Sequence, residues 1–181
     1  MKKYIVVLII IFAVFNCYSQ APKIVIAASK GNISAVKACI KKGDDINAKS
    51  VTQWSALAYA VNKNNLQLCR VLLENNADVN IQINTKETCL LLAAKYNYNE
   101  LAELLIQYKA DINAKDIIEF RSIHWAAKNN NKELVEILLN AGANINAKNV
   151  QGRTALDMAD PKIKEFLISK GAKTGLELVQ S

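Results

Sequence analysis

The sequence predicts an all-α solenoid built from stacked helix-turn-helix units. A repeat of 33 residues runs without insertion from residue 24 to residue 156, and each unit contains two segments with apolar residues at helical spacing. Two columns keep their character in all five units: large aliphatic residues at Ile24, Leu57, Leu90, Ile123 and Leu156, and alanines at Ala27, Ala60, Ala93, Ala126 and Ala159. No unit can bury its apolar face alone, so stability must come from stacking on its neighbours.

Each unit is predicted to hold a short first helix and a short second helix. The first helices are expected over 55–63, 88–96 and 121–129, and the second helices over 34–42, 67–75, 100–108 and 133–141. The column of small alanines allows first helices of adjacent units to lie close together.

Glycine or asparagine follows each helix, as expected of turns that need the left-handed conformation. The first helices are followed by Gly31, Asn64, Asn97 and Asn130, and the second helices by Gly43, Asn76, Gly142 and Gly171. In the third unit Lys109 follows the second helix where the other units have glycine or asparagine, and its backbone is expected to carry a small strain. An Asp or Asn at 45, 78, 111 and 144 is expected to order the turn that follows.

The two end units are predicted to be caps. In the last unit four residues are missing between the helices, and its second helix should begin near Pro161 with Asp160 as its N-cap. Ala21-Pro22 is expected to open a short helix in the first unit. The resulting repeats are placed at about 21–49, 50–82, 83–115, 116–148 and 149–174, and the tail over 175–181 is expected to be loosely held.

The composition indicates a globular, non-catalytic protein. Of 181 residues, 51% are hydrophobic and 22% are charged, and four cysteines are too few for a disulfide scaffold. His124 is the only histidine, so a metal site with several histidines cannot form, and a histidine-dependent nucleophilic mechanism would have to use this residue alone. We find no phosphate-binding loop, nucleophile motif or convergent carboxylate set, and we expect no cofactor, no metal and no small-molecule substrate.

Residues 1–20 are predicted to be a signal peptide of a bacterial exported protein. Lys2 and Lys3 precede an apolar run over 5–15 that is too short to cross a bilayer, and Cys17 and Ser19 place small residues before the expected cleavage site. The alternative is a lipoprotein anchored through Cys17. After cleavage, Cys39, Cys69 and Cys89 remain, and these thiols are expected to be buried, a Cys69–Cys89 disulfide being the lesser alternative.

Removal of the leader lowers the formal charge from +7 to +5. Lysines alternate along the sequence with Asp and Glu, which is more typical of a solvated surface than of a nucleic-acid stripe. We therefore expect no nucleic acid among the partners, and contact with a membrane only if Cys17 is lipidated.

Several segments resemble the ankyrin repeat. The resemblance is carried by Thr154-Ala155-Leu156-Asp157, by 122–127 (SIHWAA) and by 138–147 (LLNAGANINA), and it covers about residues 21–174. It implies a monomeric solenoid that binds other proteins through its finger loops and the concave side of its first helices. It also implies that His124 bonds to loop backbone.

The resemblance places the recognition surface on defined positions. Its finger positions include Val51, Thr52 and Trp54; Asn84, Thr85 and Glu87; Ile117, Ile118 and Phe120; Val150, Gln151 and Arg153; its helix positions are Asn62, Lys63, Lys95, Tyr96, Lys128 and Asn129. Turn tips usually carry polar residues, yet Trp54, Ile117, Ile118 and Phe120 are apolar. They either pack between fingers or form an exposed ridge flanked by Glu87 and Arg153, as at interaction sites.

The function expected from these observations is protein binding in the periplasm or cell envelope. Two alternatives remain open: an immunity-like inhibitor of a secreted enzyme or toxin, and an accessory protein for a periplasmic enzyme.

Overall fold

The computed structural model describes residues 21–180, so the predicted signal peptide and Cys17 lie outside the described residues. Within that range the chain forms eleven helices. These are α1 Lys23–Ser29, α2 Ile33–Lys41, α3 Ala56–Asn62, α4 Leu66–Glu74, α5 Cys89–Lys95, α6 Asn99–Gln107, α7 Ser122–Lys128, α8 Lys132–Asn140, α9 Ala155–Met158, α10 Pro161–Ser169 and α11 Glu177–Gln180. The predicted all-α solenoid is confirmed.

The helices form two layers. The first helices α1, α3, α5, α7 and α9 pack in sequence against one another, and each packs against the second helix of its own unit. The second helices α2, α4, α6 and α8 form the other layer. No helix within residues 21–180 is long and apolar enough to span a membrane.

The core lies between the layers and contains both the Ile/Leu column and the alanine column. Leu57, Leu90 and Ala93 are at most 1% exposed, and the alanine column is buried in every unit. Close approach of the first helices follows from the small side chains of this column, because a larger side chain would have no space there.

The helix ends match the sequence signals to within about one residue. Asn32, Asn65 and Asn131 cap second helices by accepting a backbone N–H three residues on, at 2.9–3.0 Å. Ser55 caps α3 in the same way, and Asp160 accepts from the N–H of Lys162 at 2.9 Å where α10 begins at Pro161. All the predicted turn residues have positive φ, including Lys109 at 66°.

An asparagine ladder links the units. The side-chain oxygens of Asn47, Asn80, Asn113 and Asn146 each accept a backbone N–H from the next unit, from Asp78, Asp111, Asn144 and Lys173, at 2.7–3.0 Å. The preceding Asp or Asn orders each turn by accepting from the backbone N–H two residues on, at 2.9–3.0 Å. This pair of bonds explains why both polar columns recur with the period of the repeat.

The C-terminal segment continues from the last unit with a hydrogen-bonded turn and a short helix. Glu177 accepts from the backbone N–H of Thr174 at 2.6 Å and α11 follows, while the N–H of Gly175 donates to Asp157 at 2.7 Å. A Cβ at Gly175 would clash with the carbonyl oxygen of Gly152, so the backbone approaches the last finger closely. The tail is therefore attached to the last unit, although Leu176 and Val179 remain exposed.

Candidate protein-interaction surface

The finger loops are tight turns closed by backbone hydrogen bonds. In each of four fingers an N–H donates to the carbonyl four residues on, at 2.9–3.0 Å; the pairs are Ser50–Trp54, Ile83–Glu87, Asp116–Phe120 and Asn149–Arg153. One residue per finger has a positive φ: Gln53 at 64°, Lys86 at 59°, Glu119 at 60° and Gly152 at 73°. The left-handed position is thus kept in all four fingers, although only the last finger has a glycine there.

Neighbouring fingers are bonded side by side. The N–H of Ile117 donates to the carbonyl of Thr85 at 3.1 Å, and the N–H of Val150 donates to the carbonyl of Ile118 at 3.2 Å. These bonds align the tips of three successive fingers, so their side chains share one edge of the molecule.

An apolar fingertip patch results from this alignment. It consists of Ile117, Ile118 and Val150, which are 59%, 44% and 58% exposed. The sequence named Ile117 and Ile118 as free side chains, and the structure places both at the surface. Val51 is also exposed, but the finger that carries Asn84 separates it from the patch.

Phe120 does not belong to the exposed ridge. It is 6% exposed, and its ring lies 5.2 Å from that of Trp125 and 5.4 Å from that of His124, centroid to centroid. Trp54, at the equivalent position two units earlier, is half-buried with its ring 5.2 Å from that of Tyr59. These two aromatic residues are withdrawn from the surface, but the contacts that cover them are with the first helix of their own unit and not with a neighbouring finger, because the finger folds its last side chain back over that helix.

Glu87 was expected on the flank of the ridge, but it is buried at 6% exposure. It accepts hydrogen bonds from Thr85 Oγ1 at 2.6 Å and from Lys95 Nζ at 2.8 Å. Burial opposes the charged form of Lys95, yet the Glu87 carboxylate more than offsets this and the pKa of Lys95 is raised. Glu87 therefore fixes a finger to its helix, while Arg153 is exposed at the corresponding place in the last finger.

Asn129 also has a structural role. Its side-chain amide donates to the carbonyls of Ala94 and Lys95 at 3.3 and 3.1 Å, and so satisfies the C-terminal end of the neighbouring first helix. Lys63 and Tyr96 are exposed at equivalent helix ends, where the sequence placed them in the recognition surface.

Trp125 is a prominent residue of this face that the sequence analysis did not single out. Its ring is flanked by Lys95 Nζ at 5.4 Å and Lys128 Nζ at 5.0 Å from the ring centroid, within cation–π range. Its buried Nε1 has no hydrogen-bond partner within residues 21–180. The sequence signal for this residue is an aromatic side chain that recurs at one position of the 33-residue repeat, as Tyr59 and Trp125.

His124 is structural, as expected. Its Nδ1 accepts from the backbone N–H of Arg121 at 3.0 Å, which leaves Nε2 to donate to the carbonyl of Ala147 at 3.0 Å. Burial lowers the pKa of this imidazole, in agreement with a neutral ring that has one acceptor and one donor nitrogen.

The three thiols in the described range are free and buried. Burial raises the pKa of Cys69 to about 12 and also raises the pKa values of Cys39 and Cys89. The alternative of a Cys69–Cys89 disulfide is therefore not realised. Within residues 21–180 no group of three or more His, Cys, Asp or Glu is arranged to hold a metal ion.

Stacked helical hairpins with laterally bonded fingers define a helical repeat solenoid. A family model of ankyrin repeats (3 copies) matches residues 24–116, just over half of the chain, and a model of ankyrin repeats (many copies) matches residues 123–159. The chain therefore belongs to the ankyrin repeat family, whose members are generally protein–protein interaction modules. A comparison with curated proteins found no significant match.

Proposed function

We propose that this chain is an exported, non-catalytic protein-binding module of the bacterial periplasm or cell envelope. The observation that carries the proposal is the fingertip patch formed by Ile117, Ile118 and Val150, aligned by hydrogen bonds between fingers. Exposed apolar side chains grouped in this way typically mark a binding site. The surrounding polar fingers provide the rim of such an interface.

The patch provides exposed apolar side chains that a partner can bury. Burying one fully exposed isoleucine side chain contributes roughly 1.5–3 kcal/mol to the free energy of binding. The contribution is smaller where part of the side chain is already buried in the unbound protein. Loss of two such anchors should therefore weaken binding at least about tenfold, which corresponds to about 1.4 kcal/mol.

The first experiment identifies the partner and then measures its affinity. The mature chain is used as bait in an envelope extract of the native host, and the captured protein is purified for calorimetry. We expect the variant Ile117→Ser/Ile118→Ser to bind it at least about tenfold more weakly than the wild type. Ile168→Ser is the matched control, because Ile168 is 58% exposed but lies on the second helix of the last unit. Equal affinity in the fingertip variant would contradict the proposed site.

The export part of the proposal rests on residues 1–20. Intact-mass measurement of the native protein should give an N-terminus at Gln20 or Ala21. A diacylated Cys17 would instead select the lipoprotein alternative, and retention of residues 1–18 without acylation would refute export.

A further inference from the structure

One buried polar atom on a first helix has no acceptor. Trp125 lies on α7 with its ring half-buried, and its Nε1 is covered by the chain without a hydrogen-bond partner within residues 21–180. A buried indole N–H usually finds an acceptor, because leaving it unpaired forfeits the hydrogen bond that it makes with water in the unfolded chain. An acceptor supplied by another molecule would therefore remove an unfavourable contribution that the free protein carries.

The side chains around the Trp125 ring are basic and aromatic. Lys95 Nζ and Lys128 Nζ lie 5.4 and 5.0 Å from the ring centroid, and the Phe120 ring lies 5.2 Å away, centroid to centroid. Phe120 is buried within its finger, whereas a lysine side chain has a flexible four-carbon stem. A lysine is thus the neighbour that can move to open a path to Nε1.

The two lysines differ in what holds them in place. Lys95 donates to the Glu87 carboxylate at 2.8 Å and is therefore already paired. Lys128 is exposed, and no carboxylate within residues 21–180 lies within salt-bridge distance of it. Its contact with the Trp125 ring is a cation–π interaction, which is weak at an exposed site. Lys128 can therefore exchange this contact for an ion pair with an external anion.

The carboxylates of the two fingers that border this site are engaged within the chain. Glu87 accepts from Lys95 Nζ at 2.8 Å, and Asp116 accepts from the backbone N–H of Phe120 at 2.9 Å. Both acids are buried, at 6% and 8% exposure. Neither of them satisfies the indole N–H of Trp125 or the ammonium group of Lys128, so both donors remain for a bound molecule.

We propose that Trp125 and Lys128 bind one carboxylate side chain of the protein partner, with the indole Nε1–H as the hydrogen-bond donor and the lysine ammonium as the paired cation. This inference rests on the proposed function and adds one polar contact to it. A carboxylate fits better than a neutral carbonyl, because only an anion gains from the ammonium group as well as from the N–H. Lys128 moves from the ring to the bound carboxylate, which uncovers Nε1.

Nuclear magnetic resonance of the indole N–H groups tests the site without the partner. The chain contains two tryptophans, Trp54 and Trp125, so an isotopically labelled sample gives two indole signals, which Trp125→Phe assigns. Sodium acetate is added at neutral pH, and sodium chloride keeps the ionic strength constant. We expect a saturable downfield shift of the Trp125 signal and no saturable shift of the Trp54 signal. An unchanged Trp125 signal, or parallel shifts of both signals, would overturn the site.

Variants then define the cation and the anion. Lys128→Gln should weaken acetate binding about threefold, since exposed ion pairs are individually weak. Lys132→Gln is the matched control, because Lys132 Nζ lies 5.8 Å from the centroid of the Phe166 ring, which has no N–H. An equal loss in both variants would show that only the overall charge matters and would overturn the proposal. Tighter binding of inorganic phosphate that depends on Lys128 would overturn the assignment to a carboxylate.

Calorimetry with the captured partner identifies the source of the carboxylate. Trp125→Phe keeps an aromatic ring and removes the donor, and it should weaken partner binding about tenfold, because hydrogen bonds to charged groups are stronger than neutral ones. Circular dichroism checks that this variant is folded, and Lys132→Gln should bind the partner as the wild type does.

The outcomes separate this inference from the proposed function. Acetate binding by the wild type, combined with unchanged partner affinity in Trp125→Phe and Lys128→Gln, would assign the site to a small carboxylate and overturn the protein source. If partner binding requires Ile117 and Ile118 but neither Trp125 nor Lys128, only this inference is wrong. If it requires Trp125 and Lys128 but neither isoleucine, the fingertip site is wrong and the carboxylate site stands.

Discussion

Phe120 and Ile118 are two residues apart in one finger, yet they are expected to respond in opposite ways to truncation. Phe120 is 6% exposed and packs on Trp125 and His124, whereas Ile118 is 44% exposed in the fingertip patch. Phe120→Ala should therefore destabilise the fold, and Ile118→Ala should mainly weaken partner binding.

The expected magnitudes follow from burial. Truncating a buried Phe to Ala lowers the free energy of unfolding by about 3–5 kcal/mol. Because the finger can partly close over the gap, we expect a decrease of about 3 kcal/mol for Phe120→Ala. In a protein of this size each 1 kcal/mol lowers the melting temperature by about 2–4 °C, so a decrease of about 6–12 °C is expected. Ile118→Ala should change stability by less than about 0.5 kcal/mol.

Thermal melting followed by far-UV circular dichroism measures both variants, and urea denaturation gives the free energies of unfolding. An unchanged midpoint for Phe120→Ala would refute the packing of this finger against α7. A large decrease for Ile118→Ala would show that Ile118 supports the fold, and the fingertip patch would then lose one of its free side chains.

Three further perturbations test other parts of the account. Ala93→Leu should overpack a fully buried position and cost about 1–3 kcal/mol in thermal melts, whereas Ala38→Leu, at an exposed position on α2, should cost little; equal midpoints would show that the alanine column does not face a neighbouring helix. Lys109→Gly should raise the free energy of unfolding by about 0.5–1 kcal/mol in urea titrations, because it removes a side chain at φ 66°, and a decrease would mean that this side chain stabilises the turn. Burial lowers the pKa of His124, so the folded state binds fewer protons than the unfolded state, and the free energy of unfolding should decrease as the pH falls below the ordinary pKa of 6.5, by at most about 1.4 kcal/mol per pH unit. In urea titrations His124→Gln should lack this decrease below pH 6.5, and a slope retained in the variant would assign it to other groups.

The helices and turns could be predicted closely from sequence because their signals are local and periodic. A column such as Ala27 to Ala159 reports helical spacing directly, and Gly or Asn marks each left-handed turn. Even the strained turn at Lys109 was expected, because the repeat assigns its conformation regardless of which residue occupies it.

The finger loops could not be predicted in the same detail because their side chains follow no helical period. Whether Phe120 points inward or Glu87 is buried depends on the helix beneath the finger and on a lysine eight residues later in the sequence.

Hydrogen–deuterium exchange of the mature chain, with and without its captured partner, tests the central claim most directly. A protein bound through the fingers should slow amide exchange in peptides that cover 115–121 and 148–153, and leave exchange in the second helices α4, α6 and α8 unchanged. Protection confined to those second helices, with the fingers exchanging as in the free protein, would contradict the proposed interaction surface.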